Sequence, residues 1–237
     1  MGMTGARVAL ISGASRGIGA AVAQCLHAEG WAVSLGMRQP VRPDWAPDRA
    51  DDRVQVAAYD AADPQAAAAW VAGAVARFGR IDALVASAGI MLPRTVVEVS
   101  DAELDAMLEI NVKAPRRLAA AAWEHLAVSG RGRVIVLASL SGKRVKSPGS
   151  GAYAMTKFAA VALAHGLRHA GFDLGIRATA ICPGFVATDM AAAITDSPAQ
   201  AMTQPADLAR VIALLLDLPN ETSTAEFCVN CQLEESF

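Results

Sequence analysis

Short apolar runs alternate along this chain with longer stretches of helical periodicity. The runs fall at residues 7–12, 32–37, 54–59, 83–86, 133–138, 177–182 and 226–230. They are apolar on both faces, as strands of a parallel sheet buried between two layers must be. Helical patterns occupy 17–29, 64–78, 101–128, 151–172 and 206–216. Ser100 with Glu103 reads as a capping box, and Asp63 as the cap before Pro64 at a first helical position. Strand and helix in strict alternation predict an α/β, doubly wound Rossmann-type fold: a seven-stranded parallel sheet flanked by helices on both faces. Ligands then gather at the strand carboxyl ends. No repeat or linker interrupts the pattern, so one domain over 1–237 is expected. Pro40, Pro43 and Pro47 rule out a multi-turn helix between the second and third strands, because each proline removes a ladder donor.

Composition narrows the function classes. The apolar fraction is 54% with only 5% aromatic, so the apolarity is largely small Ala and Val, and no uninterrupted apolar run is long enough to span a bilayer. The chain passes from Met1 straight into a strand pattern without a charged leader, which predicts a cytoplasmic protein. A net charge of −2 gives no case for nucleic acid. Cys228 and Cys231 have CxxC spacing on a terminal strand pattern, but no second pair or histidine set completes a metal site. They read as small hydrophobes, and no metal is expected.

Two sites of chemistry stand out. Gly13, Ser15, Arg16, Gly17, Ile18 and Gly19 form a glycine-rich turn between the first strand and the first helix. There a backbone without side chains approaches a pyrophosphate whose charge the helix N-terminus favours. Tyr153 and Lys157, four apart on one helix face, form the second. A phenol has a reference pKa of roughly 10, and a nearby ammonium favours its ionised form, bringing proton exchange toward neutrality. That is the chemistry of carbonyl–alcohol interconversion.

With this glycine turn and the Tyr–Lys pair, the chain resembles the short-chain dehydrogenase/reductase family in its single-domain form, over nearly its whole length. The 86–89 segment, with Ser87, Ala88 and Gly89, is similar to the family's Asn-Asn-Ala-Gly, and Asn111 matches its helix asparagine. Pro183, Gly184, Val186 and Thr188 match the segment that binds the nicotinamide carboxamide and pyrophosphate, and Asp60 with Ala61 matches the adenine contact. The resemblance implies a tetrad of Asn111, Ser139, Tyr153 and Lys157. In it Tyr153 is the general acid, Lys157 stabilises its phenolate and bonds the coenzyme ribose, Ser139 binds the substrate oxygen, and Asn111 holds a relay water. Ser141 competes for the serine role, because the Ser-to-Tyr interval is one residue longer than usual; Ser139 is favoured as the direct end of its strand. The chain also lacks the family's frequent Gly-Gly after the last strand.

Where an acid would select NAD, the chain has Met37 and then Arg38, and Arg16 lies in the glycine turn. Two guanidiniums without a carboxylate favour NADP(H) over NAD(H). The apolar segment 189–198 predicts a small uncharged carbonyl or alcohol substrate. The Ala-rich helices allow close packing across a subunit interface, and the family resemblance implies a homotetramer or homodimer, with Trp123 and Phe158 as interface candidates. The rival readings are an NAD-linked alcohol dehydrogenase working oxidatively and a non-catalytic dinucleotide sensor.

Overall fold

The computed structural model describes residues 5–46 and 52–233. Its strands are β1 (Val8–Ser12), β2 (Ala32–Met37), β3 (Val54–Ala58), β4 (Ala83–Ala86), β5 (Arg133–Leu137), β6 (Arg177–Pro183) and β7 (Glu226–Val229). All pair in parallel, in the order β3-β2-β1-β4-β5-β6-β7. The helices are α1 (Gly17–Ala28), α2 (Ala66–Phe78), α3 (Asp101–Leu108), α4 (Ala114–Val128), α5 (Gly151–Gly171), α6 (Asp189–Ala192) and α7 (Pro205–Asp217). The order reverses direction between β1 and β4, the switch point at which such sheets open a crevice.

Period-two alternation divides each strand between two cores. Leu10, Leu84, Val134 and Val136 face Trp70, Leu118, Leu126 and Val161 from α2, α4 and α5. Ala9, Ile11, Val85 and Ile135 face Val22, Leu26, Leu208 and Ile212 from α1 and α7. A polar link crosses the first layer at β2, where Trp70 Nε1 donates to Ser34 Oγ at 2.8 Å and Ser34 Oγ donates to Gln55 Oε1 at 2.8 Å.

Two boundaries differ from the sequence reading. The helix expected over 101–128 is divided by a widened turn at Glu109–Lys113, where the Ala114 N–H donates to the Glu109 carbonyl five residues back. Pro115 follows immediately and has no N–H to offer, which disfavours a regular ladder there. The 64–78 helix starts at Ala66, because Asp63 Oδ1 accepts from the Gln65 N–H at 2.8 Å and holds Pro64 in a turn. The Ser100–Glu103 capping box forms as expected. Between β2 and β3 the described residues form only a turn closed by Ala46 N–H to Pro43 O at 3.0 Å. Pro47, the last proline of that connection, lies outside the described residues.

Ser34→Ala leaves the buried Trp70 N–H without its acceptor. The expected result is a loss of about 1–3 kcal/mol in urea-monitored unfolding, the usual cost of an orphaned buried donor.

Candidate active site

The carboxyl ends of the strands bring the two sequence-predicted sites together. β1 ends at Ser12, and the chain turns through Gly13 at φ +67°. A Cβ at Gly13 would lie 2.9 Å from the Ala88 backbone, so only glycine brings the turn this close to the end of β4. Ser12 makes that junction: its buried Oγ accepts from the N–H groups of Ser87 (3.1 Å) and Ala88 (3.2 Å). Sequence reading missed Ser12. The signal was a lone hydroxyl at the end of an otherwise apolar strand. No side chain caps α1, whose first turn carries no acid. Together with a glycine cradle that a Cβ would fill, this fits a phosphate on the first helical N–H groups.

Arg16 precedes α1, and its Nη1 lies 2.8 Å from Asp189 Oδ2 at the start of α6, with both side chains exposed. Thr188 donates to Val186 O at 3.2 Å and packs its methyl over Gly17. Met37 is buried at the end of β2, and Arg38 beyond it is exposed. Asp60, past β3, accepts from the Ala62 N–H at 2.9 Å, and Ala61 is buried.

A cavity of about 620 Å³ opens over this edge. Ile18, Ser87, Gly89, Ser139, Tyr153, Lys157, Pro183, Gly184, Val186 and Thr188 reach it. Gly13, Ser15, Arg16, Gly17, Gly19, Met37, Arg38, Asp60, Ala61 and Ala88 do not line this cavity; they lie along the turn and the β2, β3 and β4 ends.

Asn111 sits in the widened turn and is buried. Its Oδ1 accepts from the Ile90 N–H at 2.9 Å, while Nδ2 donates to Ile90 O (2.9 Å) and Thr156 Oγ1 (3.0 Å). The amide is therefore fully used as a clamp between the β4 loop and α5, and it does not line the cavity. Pro115, four residues on, has no N–H to donate to the Asn111 main-chain carbonyl.

Lys157 Nζ donates to Leu137 O at 2.7 Å and stands 5.5 Å from the Tyr153 ring centroid. Burial lowers the lysine to about 8. Burial also raises Tyr153 above the ordinary phenol range, and its hydrogen bond with Ser139 offsets this only in part. This reverses the sequence expectation of a phenol brought toward neutrality. Desolvation outweighs the ammonium, which is directed at a main-chain carbonyl, so the phenol holds its proton.

Ser139 and Ser141 both line the cavity; Ser139 is the serine whose side chain acts on Tyr153, lowering its pKa against the effect of burial, and its Oγ accepts from the Ser141 N–H at 3.0 Å. Gly142 follows, where a Cβ would lie 2.6 Å from the Lys157 carbonyl. The serine turn therefore rests directly on the backbone of the catalytic helix. On β6 and β7, strand pairing sets Cys182 opposite Cys228, and their Sγ atoms and a Glu226 oxygen lie within 4.8 Å of one another. Cys231 instead points its thiol at Phe185 O, so the CxxC spacing does not act as a unit. Lys143 already holds Glu226 at 2.7 Å.

The sequence model of the short chain dehydrogenase family matches residues 7–199. Agropine synthesis reductase of Rhizobium rhizogenes is 39% identical over 228 residues, which is 96% of this chain and 53% of that protein. This chain thus spans about half the length of that relative. An uncharacterized oxidoreductase of Staphylococcus aureus (strain N315) is 31% identical over 224 residues, 94% of this chain and 96% of that protein. Among solved structures, an alcohol dehydrogenase from Thermococcus sibiricus complexed with 5-hydroxy-NADP superposes with a TM-score of 0.85 at 28% identity, covering 98% of this chain and all of that one. A metagenomic short-chain oxidoreductase in complex with NADP gives 0.78 at 29%, covering 96% and 98%.

The lowered Lys157 makes a pH prediction. Between about 8 and its ordinary 10.5, the unfolded chain holds a proton on this lysine that the folded chain has released. Stability from this residue therefore rises with pH across that window. Lys157→Met should flatten that segment of the profile, read by denaturant midpoints at successive pH values.

Proposed function

We propose that this chain, which belongs to the short-chain dehydrogenase/reductase family, moves a hydride between a nicotinamide dinucleotide and the carbonyl–alcohol pair of a small substrate. The observation that carries the reading is the convergence of Ser139, Tyr153 and Lys157 on one cavity, with Lys157 Nζ 5.5 Å from the Tyr153 ring, beside Ile18, Gly184 and Thr188. The dinucleotide, when bound, supplies the hydride. Its pyrophosphate would lie on Gly13–Gly19 and the α1 N-terminus, its adenosine near Asp60 and Ala61, and its nicotinamide end near Pro183–Thr188, Ser87 and Gly89.

The protein's own part is proton control. A substrate oxygen placed between Ser139 Oγ and Tyr153 Oη receives two hydrogen bonds, which strengthen as negative charge grows on it. Tyr153 then yields its proton to that oxygen, and the Lys157 ammonium stabilises the phenolate left behind. Lys157 is charged below about 8, so this stabilisation operates at neutral pH. The proton is replaced along Lys157, with the Asn111 carbonyl as the place for a relay water. A phenol that keeps its proton is an acid ready to donate, which supports the reductive direction over an oxidative alcohol dehydrogenase.

NADP(H) is the favoured coenzyme. The absence of an acid at Met37, the exposed Arg38 and the rim position of Arg16 support it, as do NADP and its 5-hydroxy analogue in two similar structures. Arg16 would exchange Asp189 for phosphate. One unit carries both the coenzyme and substrate sites. Four free thiols fit a reducing cytoplasm, and among the described residues no helix is long and apolar enough to cross a membrane. A second apolar groove of about 610 Å³, with exposed Val96, Val145, Met155 and Phe158 on its walls, supports a homodimer or homotetramer joined at this face of α5. Trp123 is not part of it, because it packs against the core.

Tyr153→Phe should retain coenzyme binding, measured by nicotinamide fluorescence, and lose turnover by at least about a hundredfold, the lower range for a general acid. Steady-state kinetics should give a lower KM for NADPH than for NADH, and Arg38→Asp should narrow or invert that ratio. An NADH preference in the unaltered chain overturns the coenzyme assignment.

A further inference from the structure

We propose that Cys182, Cys228, Glu226 and His165 bind a zinc ion that fastens the last strand of the sheet to its neighbour and to α5. The site is independent of the reaction proposed above, because none of the four residues lines the reaction cavity. The sequence pairs Cys228 with Cys231 by spacing, and no metal is expected from that pair. The sheet gives Cys228 a different partner, Cys182, directly opposite it in the β6–β7 register. Glu226, two residues before Cys228, shares its face of β7.

The ligand atoms converge from three elements. The Sγ atoms of Cys182 and Cys228 and a Glu226 carboxylate oxygen lie within 4.8 Å of one another. Both thiols are free. Tetrahedral zinc, with bonds of about 2.3 Å to sulfur and about 2.1 Å to nitrogen or oxygen, spaces its ligands by about 3.4–3.8 Å. Small side-chain rotations therefore close the set. His165, on α5, supplies the fourth ligand. Its Nε2 lies 2.8 Å from Glu226 Oε1, but the ring is not aligned for a hydrogen bond. That leaves a buried nitrogen without a hydrogen-bond partner, and a metal accepts such a nitrogen as a lone-pair donor.

Two thiolates, an imidazole and a carboxylate make a mixed sulfur, nitrogen and oxygen set that suits zinc. On binding, each thiol gives up its proton to solvent as its sulfur bonds the metal. The charges then cancel. Two thiolates and one carboxylate stand against Zn²⁺ and the Lys143 ammonium, whose Nζ is 2.7 Å from Glu226 Oε2. Lys143 keeps that oxygen and leaves Oε1 to the metal, orienting the carboxylate as an outer-shell partner does. Neutrality removes the penalty of an unpaired buried charge. The clamp also has a place in the fold. β7 is an edge strand of four residues, none fully buried, so apolar packing holds it only weakly. Val229, next to Cys228, accepts from the Gly184 N–H at 2.8 Å, and a fixed β7 steadies the loop that follows β6.

The test uses the full chain, kept reduced, stripped with a chelator and titrated with zinc against a chromophoric chelator. One zinc per chain should bind with a micromolar or tighter dissociation constant. Saturating zinc should raise the melting temperature by at least about 4 °C. Cobalt in its place should give intense thiolate-to-cobalt charge transfer with tetrahedral ligand-field bands. Cys228→Ser should weaken zinc binding at least about a hundredfold, beyond the reach of an outer-shell change, and remove most of the charge transfer. His165→Gln should weaken it at least about tenfold while keeping that absorption. Cys231→Ser should leave both readings unchanged. If Cys228→Ser does not fold, the cobalt spectrum of the unaltered chain and the Cys231→Ser titration decide. The site is overturned by the absence of stoichiometric zinc binding, by octahedral cobalt bands without charge transfer, or by full affinity in Cys228→Ser or His165→Gln. Loss of binding in Cys231→Ser overturns it as well, because the metal would then sit on the CxxC pair.

Discussion

Every strand in this molecule runs the same way, and the sheet reverses its winding between β1 and β4. From that constraint the rest follows. Parallel strands deliver all their carboxyl ends to one edge, and the reversal parts the connecting helices there, so the loops after β1, β4, β5 and β6 meet over a single crevice. Ser12, with two main-chain N–H groups on its hydroxyl, ties the two strands at the parting point. Gly13 permits the resulting backbone contact. Remove either and the coenzyme turn loses its reference to the β4 loop, which Asn111 in turn fastens to the helix bearing Tyr153.

The electrostatics of the pair on that helix are governed by burial before they are governed by proximity. Tyr153 and Lys157 are both removed from water, and each is pushed toward its neutral form. A phenol so placed is a reservoir for one proton, and the ammonium below it becomes valuable only when the phenolate forms. Such an arrangement concentrates its stabilisation on the charge-separated moment of the reaction. The two hydrogen bonds of the Asn111 amide to Ile90 keep this arrangement in register with the β4 loop.

Much of the fold was legible from the chain because buried parallel strands must be apolar on both faces, and the runs at 7–12, 32–37 and 133–138 are. The proposed tetrad came from the family resemblance, and the structure places Ser139, Tyr153 and Lys157 on one cavity, with Asn111 outside its lining. What escaped has physical reasons. The widened turn at Glu109–Lys113 depends on where hydrogen bonds shift by one residue, and Pro115 was its only local mark. Ser12 acts through groups more than seventy residues away. The direction of the Tyr153 shift required knowing how deeply the helix is packed. Arg16 met Asp189 only through the approach of α6 to the glycine turn. That Arg144 and Lys146 line the cavity while Lys143 does not escaped as well, because Lys143 is drawn off by Glu226, far along the sequence.

The connection bearing those cations is pinned at both ends. Gly142 lies against the Lys157 backbone, and at the far end the Ser147 N–H donates to Ser150 Oγ, which donates back to Ser147 O, just before α5 begins. Residues 143–146 are thus a short cassette between two rigid anchors, with Arg144 and Lys146 on the cavity wall. Sequence change can accumulate there at little cost to the sheet, the turn or the Tyr–Lys pair. In evolutionary terms, the fold separates a scaffold that must stay fixed from a stretch of cavity wall that is free to drift.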